Sequence, residues 1–113
     1  MNNTSDRLFY FNYTPKTMFY FYVLYSLKDG KLYKGYSEDV AQRFLKHASG
    51  ATKSTKHRRP LILIHIEQFE SKEKAMERER WSKSLEGGAT LRAMLKEKNI
   101  LNDTGKLNGS STD

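Results

Sequence analysis

The sequence predicts a small α+β domain, and three observations carry that prediction. An aromatic, β-branched run from Phe19 to Tyr25 is followed by turn residues and a second tyrosine-bearing run from Lys31 to Tyr36, the pattern of a β-hairpin. A Leu-Ile-Leu-Ile run beginning at Leu61 reads as a third strand buried on both faces. Stretches with apolar residues at helical spacing fill the gap between hairpin and third strand and follow the latter. At 113 residues the chain has room for one domain with a modest core.

In the hairpin, loop length decides which side chains meet. A two-residue turn at Asp29-Gly30 would leave Tyr22 and Tyr33 four residues apart along the ladder, whereas a four-residue loop over 26–29 would set them opposite each other. Any even-length loop keeps both rings on one face, and the 26–29 loop is expected because it brings the phenols together. Ser37 is the expected N-cap of the next helix, with Glu38 and Asp39 in its first turn. Its apolar face is read as Val40, Ala41, Phe44, Leu45 and Ala48, with Gly50 as the stop. Arg43 and His47, four apart, fall along the edge of that face, outside the core. A basic polar loop occupies 51–59, and Pro60 opens the third strand, which is expected to end at Glu67. Ser71 is the expected cap of a long helix reaching Leu85, broken by Gly87-Gly88, with Leu91, Met94 and Leu95 marking a short helix beyond. The domain is expected to span 18–98. Residues 99–113, polar and rich in Gly, Ser and Asn, read as a disordered tail. Residues 1–17 form an extension that fits an extra strand, an interaction arm or a disordered lead.

Charge narrows the function. The chain carries a net charge of +7, and it is unevenly placed. From Val40 to Ile66 there is no acid, while Arg43, Lys46, Lys53, Lys56, Arg58 and Arg59 lie there together with all three histidines. The rest of the chain is nearly neutral. A localised field of this kind favours a polyanionic partner, with nucleic acid expected ahead of a merely solvated surface. The absence of cysteine excludes a disulfide scaffold and a Cys-based zinc site and fits a reducing setting. No apolar run approaches a membrane span, and the first 17 residues do not read as a secretory signal. A soluble, cytoplasmic protein is expected.

The chemistry-bearing residues are Tyr22 in Tyr20-Phe21-Tyr22, Tyr33 in Tyr33-Lys34-Gly35, Arg43, His47, and Glu79 in Glu77-Arg78-Glu79. Taken singly, each has an ordinary structural use. Strand tyrosines are common core residues, a lone histidine usually packs, and Glu79 has Lys83 as an ion-pair partner one helical turn away. Taken together, and in this order, they resemble the GIY-YIG nuclease family over roughly residues 18–98, in particular its short stand-alone members. Tyr22 matches the tyrosine of the first motif and Tyr33 that of the second. Arg43, His47 and Glu79 match the family's helix arginine, its histidine and its metal-binding glutamate. The resemblance implies a three-stranded antiparallel sheet flanked by helices and metal-assisted hydrolysis of a nucleic-acid backbone.

The residue types suit that reaction, which needs an activated water, neutralised phosphate charge and a stabilised leaving oxygen. Glu79 would hold one Mg²⁺ (or Mn²⁺), since a hard cation can bind through a single carboxylate, waters and substrate phosphate. Glu77 lies about 200° around the helix from Glu79 and is the weaker ligand candidate. Arg43 offers a planar donor fork for a phosphate oxygen, and His47 a proton donor or acceptor. A phenol of pKa ~10 needs a neighbouring cation to act as base; Tyr22 is the first choice, though the sequence leaves open which tyrosine serves. Lys34 departs from the aliphatic residue usual at the middle of the second motif, and the asparagine that some members carry late in the domain has no assigned counterpart. Lys34, Lys46, Lys53, Lys56, Arg58 and Arg59 are the expected phosphate contacts, gripping backbone without reading bases. The leading expectation is a structure-selective endonuclease acting on nucleic acid, DNA first. A non-catalytic nucleic-acid-binding module on the same fold comes second, and a protein-interaction domain third.

Overall fold

A computed structural model of the chain describes residues 16–109. Strands β1 (Phe19–Ser26), β2 (Leu32–Ser37) and β3 (Leu61–Phe69) form one antiparallel sheet in the order β2-β1-β3. Helix α1 (Val40–Ser49) follows β2, while α2 (Lys72–Ser82) and α3 (Leu85–Glu97) follow β3. The expected α+β class, a small antiparallel sheet flanked by helices, is the one the chain adopts.

The central strand organises the core because its side chains alternate between two covered faces. Phe21, Val23 and Tyr25 pack with Leu91 and Leu95 of α3 and with Leu101. Tyr22 and Leu24 face the other way, toward Val40, Phe44 and Leu61. Helix α2 packs against all three strands. The expected burial of β3 on both faces is found in part: Leu63 joins the α1 side and Ile64 the α3 side, with a bulge opposite Val23/Leu24, whereas Ile66 is exposed.

Four expectations are corrected. The first concerns register: Tyr22 pairs with Gly35 and Tyr33 with Leu24, so the two tyrosines share a face but sit one diagonal apart. The four-residue loop is 27–30, not 26–29. Ser26 closes β1, its N–H donating to Lys31 O at 3.0 Å while its carbonyl accepts from Gly30. Its hydroxyl also accepts from Lys28 and Asp29 N–H and donates to Arg58 O at 2.6 Å. Those bonds hold Ser26 on the ladder and move the loop one residue onward.

The second concerns α1. Its N-cap is Asp39, which accepts from Gln42 N–H, while Ser37 accepts from Asp39 N–H just outside the helix. The buried side runs through Val40, Arg43, Phe44 and His47; Ala41, Leu45 and Ala48 face outward, and His47 is fully buried. Gly50, at φ 84°, ends the helix as expected.

The third concerns the glycine pair. The break between α2 and α3 lies at Lys83-Ser84, with Ser84 capping α3 by accepting from Gly87 N–H. Gly87 and Gly88 belong to the first turn of α3. Gly87 is required by close packing, for a Cβ there would fall 1.8 Å from the Trp81 carbonyl oxygen.

The fourth concerns the C-terminal segment. Over 99–109 the chain folds back, with Leu101 buried in the core, a Leu101–Leu107 bridge, and Asn102 accepting from Thr104 and Lys106 N–H. The remainder of that segment, and all but the last two residues of the N-terminal extension, lie outside the described residues.

Candidate active site

The cross-strand pair Tyr22–Gly35 sets the floor of the site. A Cβ on Gly35 would stand 2.5 Å from both Cζ and Oη of Tyr22, so the phenol lies flat over the glycine. From there Tyr22 Oη reaches His47 Nε2 at 3.0 Å, and His47 Nδ1 is 2.8 Å from Thr55 Oγ1. Tyr22, His47 and Thr55 are all essentially inaccessible to solvent. Burial, helped by the nearby Arg43 charge, pushes the His47 imidazole below its ordinary value, so it is neutral at pH 7. A neutral imidazole donates from one nitrogen and accepts at the other, which matches two hydroxyl neighbours.

Tyr33, one diagonal away, tilts against the same histidine: ring centroids are 4.9 Å apart for Tyr33–His47 and 6.5 Å for Tyr22–Tyr33. Unlike Tyr22 it is only partly buried. Burial raises the Tyr22 phenol above the ordinary tyrosine value; Arg43 opposes this, while Tyr33 and Glu79 reinforce it. Tyr22, the first choice as base, is therefore made harder to ionise than an ordinary phenol by its burial.

A cleft of about 350 Å³ opens over these rings, lined by Tyr22, Tyr33, Tyr36, Ser37, Arg43 and Glu79, with Gly35 beneath. Helix α1 delivers Arg43 into it and α2 delivers Glu79. Glu79 sits one turn beyond fully buried Ala75, while Glu77 is exposed on the other side of the helix. Among the described residues Glu79 is the only carboxylate lining the cleft, and it is 2.9 Å from Lys83 Nζ, so the ion pair and the place in the cleft coexist. On the opposite side of α2, Arg78 makes two bonds to Glu67, at 2.8 and 3.1 Å, and stacks 4.1 Å over Trp81. His65 Nε2 also donates to Glu67, at 2.7 Å.

Five residues singled out from the sequence thus stand together: Tyr22, Tyr33, Arg43 and Glu79 in the cleft wall, and His47 behind it. The basic residues do not form one group. Lys46, Lys53, Lys56 and Arg59 are exposed. Arg58 turns inward, donating to Leu32 O at 3.2 Å with its Nε 3.6 Å from Asp29 Oδ2. Lys34 pairs with Val23 and so faces the α3 side, away from the cleft. There burial lowers its pKa, with Arg92, Lys83 and Arg58 acting in the same direction. Thr55 was missed, since nothing marks one threonine in a basic loop. Gly35 was legible only as a motif letter, although a small residue opposite an aromatic ring is a signal of its own.

The donor set fits a hard cation. Among the described residues no cluster of three or more His, Asp or Glu side chains gathers, so a cation here would be held by the Glu79 carboxylate with water and phosphate oxygens.

Comparison with known proteins finds a family match and several relatives. The GIY-YIG catalytic domain model matches residues 18–94. The UPF0213 protein SSP2268 of Staphylococcus saprophyticus is 44% identical over 61 residues, covering 53% of this chain and 73% of its own length. A UPF0213 protein of Natronomonas pharaonis is 46% identical over 67 residues, 58% of this chain and 78% of its own. The solution NMR structure of UPF0213 protein BH0048 from Bacillus halodurans is 40% identical, covers 68% of this chain and 84% of its own, and superposes with a TM-score of 0.44. With the family match spanning most of the sequence and both motif tyrosines, the arginine and the glutamate meeting in one cleft, the chain belongs to the GIY-YIG catalytic-domain family.

Proposed function

We propose that the protein is a metal-dependent endonuclease that hydrolyses phosphodiester bonds in nucleic acid, DNA in the first instance, selecting by structure rather than sequence. The observation that carries this reading is the convergence of Glu79, Arg43, Tyr22 and Tyr33, from four different elements, on one cleft that holds no other acid among the described residues.

Each residue has a role its surroundings support. Arg43 faces the cleft with its charge retained; the nearby phenols raise its pKa further against partial burial. It would neutralise a nonbridging phosphate oxygen. Tyr33, the more open phenol, is assigned to orient the attacking water and, in its phenolate form, to take the proton from it. Tyr22, buried and bonded to neutral His47, is assigned to hold Arg43 and the phosphate in place rather than to ionise. His47 and Thr55 fix the Tyr22 hydroxyl from behind. Glu79 would hold the Mg²⁺ or Mn²⁺, exchanging the Lys83 ammonium for it; the cation's contribution is to acidify bound water and offset phosphate charge. Lys46, Lys53, Lys56 and Arg59 supply sequence-independent contacts to the backbone. No helix among the described residues is long and apolar enough to cross a membrane; a cytoplasmic location is part of the proposal, resting on the cysteine-free composition.

The Lys83–Glu79 ion pair favours one alternative, a binding module whose carboxylate never takes up a cation. Incubating the protein with labelled duplex, single-stranded, flap and junction DNA and RNA, with Mg²⁺, Mn²⁺ or EDTA, separates the two. Metal-dependent internal cuts in any member of the panel support the nuclease. Binding without cleavage throughout supports the alternative.

A further inference from the structure

We infer a second contact site for the nucleic-acid backbone, at the opposite end of α1, which engages the substrate up to about four to five base pairs along the duplex axis from the cleft; the inference rests on the proposed nucleic-acid function. A groove of about 480 Å³ lies between the β1–β2 loop, the end of α1 and the short 3₁₀ turn Lys56–Arg58. It is lined by Lys28, Lys56, His57 and Arg59, with Ala48 and Pro60 as an apolar floor, and by no acid among the described residues.

Three features distinguish this groove from a scatter of surface charge. Lys28 Nζ donates to His57 O at 3.1 Å, which ties the hairpin loop to the 3₁₀ turn and leaves its other two donors free. Arg59 Nε donates to Lys56 O at 3.0 Å, and its guanidinium packs over Gly50, where a Cβ would approach Cζ to 2.7 Å. Both cations are therefore held by backbone carbonyls, so their charge is not cancelled. The nearest acid in the hairpin loop, Asp29, is engaged by Arg58, which turns away from the groove. A fixed, uncompensated set of cations above a small apolar floor suits a phosphate and its sugar.

The fold supplies the spacing. The Tyr22–Gly35 rung under the cleft is four residues from Ser26, where β1 ends, or about 14 Å at about 3.4 Å per residue. Helix α1 starts beside cleft residue Ser37 and its ten residues span about 15 Å. Both paths put the far ends of cleft and groove about 15 Å apart, which for a duplex lying along that line is four to five base pairs at about 3.4 Å of axial rise each.

The test uses the full chain and a series of fluorescent DNA duplexes from 4 to about 16 base pairs, with affinity read by anisotropy in EDTA at several salt concentrations. For the wild type, affinity should rise in a step once the duplex is long enough to reach from cleft to groove. In Lys28→Gln/Lys56→Gln/Arg59→Gln the step should vanish, affinity for long duplexes should fall about tenfold or more, and the salt slope should flatten by about 2 to 3, while the shortest duplexes bind as before. Removing three exposed charges elsewhere, as in Lys72→Gln/Lys98→Gln/Lys106→Gln, should leave the step in place. Equal losses at every length, equal losses in the control, or a groove that binds polyglutamate while DNA shows no step would each overturn the inference. Because binding is measured without metal, a missing step and a missing cleavage activity are separate failures.

Discussion

Gly35→Ala isolates the contact on which the site is built. The new Cβ would stand 2.5 Å from Cζ and Oη of Tyr22, where carbon–carbon contacts settle near 3.5–4.0 Å, so ring and strand must separate by about 1 Å. Tyr22 cannot yield cheaply, since it is 1% exposed and packed against Leu24, Val40 and Leu61. A 1 Å shift also breaks the 3.0 Å bond to His47, leaving a buried imidazole nitrogen unpaired. Overpacking costs about 1–3 kcal/mol and the unpaired group about 1–3 kcal/mol. Alanine's lower unfolded-state entropy returns about 0.5–1 kcal/mol. The centre of that sum is a net loss of about 3 kcal/mol, a drop of about 2–3 M in urea midpoint at a slope near 1–1.5 kcal/mol/M. Urea unfolding followed by circular dichroism reads this directly. In Tyr22→Ala the ring is gone, so adding Gly35→Ala there should cost little, and the cycle should give a coupling of about 1–3 kcal/mol. A Gly35→Ala protein with the wild-type midpoint, or additive losses in the double mutant, would refute the close contact and the reason given for the glycine.

Other outcomes follow from the same geometry. Tyr33→Phe should slow single-turnover cleavage about 10²-fold or more with little change in stability, and Tyr22→Phe less in rate but more in stability; the reverse order would return the base to Tyr22. The double variant should be hardly worse than the poorer single one if both phenols serve one network, which the same assay decides. Burial alone would raise the Glu67 carboxyl, but hydrogen bonds from His65 and Arg78 overcome it and hold it at about 2. That lowered value stabilises the fold above the unfolded carboxyl value of ~4.3 and is lost as pH falls through about 2. Melting temperatures measured from pH 5 to 2 should therefore fall less steeply in Glu67→Gln, the pair contributing about 1–2 kcal/mol after solvent screening; parallel curves would remove the clamp from the account. Gly87→Ala should destabilise severely through the Trp81 carbonyl, whereas Gly88→Ala, whose nearest neighbour stands 3.3 Å away, should be mild; equal melting temperatures would contradict the packing.

What the sequence revealed and what it concealed have identifiable physical origins. Strand parity made the shared face of Tyr22 and Tyr33 legible, because any even loop preserves it. The rung was hidden, since it depends on Ser26 bonding to Arg58 O, 32 residues away. In α1 the hydrophobic pattern misled: Leu45 is 65% exposed while Arg43 and His47 face the sheet. Polar residues on the packed side and apolar ones outside are a departure from helical patterning that marks a functional face. Arg58 was counted with the phosphate contacts because charge runs do not show which cation turns inward. The glycine pair reads as a helix breaker in the sequence because close approach to Trp81, like loop chemistry, selects glycine and leaves the same letter. Residues 99–109 read as disordered by composition, yet Leu101 and Leu107 pack them back onto the core.

The account stands or falls on Glu79. The decisive measurement is single-turnover cleavage of the best substrate in Mg²⁺ by wild type, Glu79→Ala and Glu77→Ala, with DNA affinity and melting temperature recorded for each. Cleft geometry predicts that Glu79→Ala loses detectable metal-dependent cleavage while folding and binding stay near wild type, and that exposed Glu77→Ala cuts normally. Wild-type rates in Glu79→Ala, or loss of cleavage in Glu77→Ala alone, would contradict it.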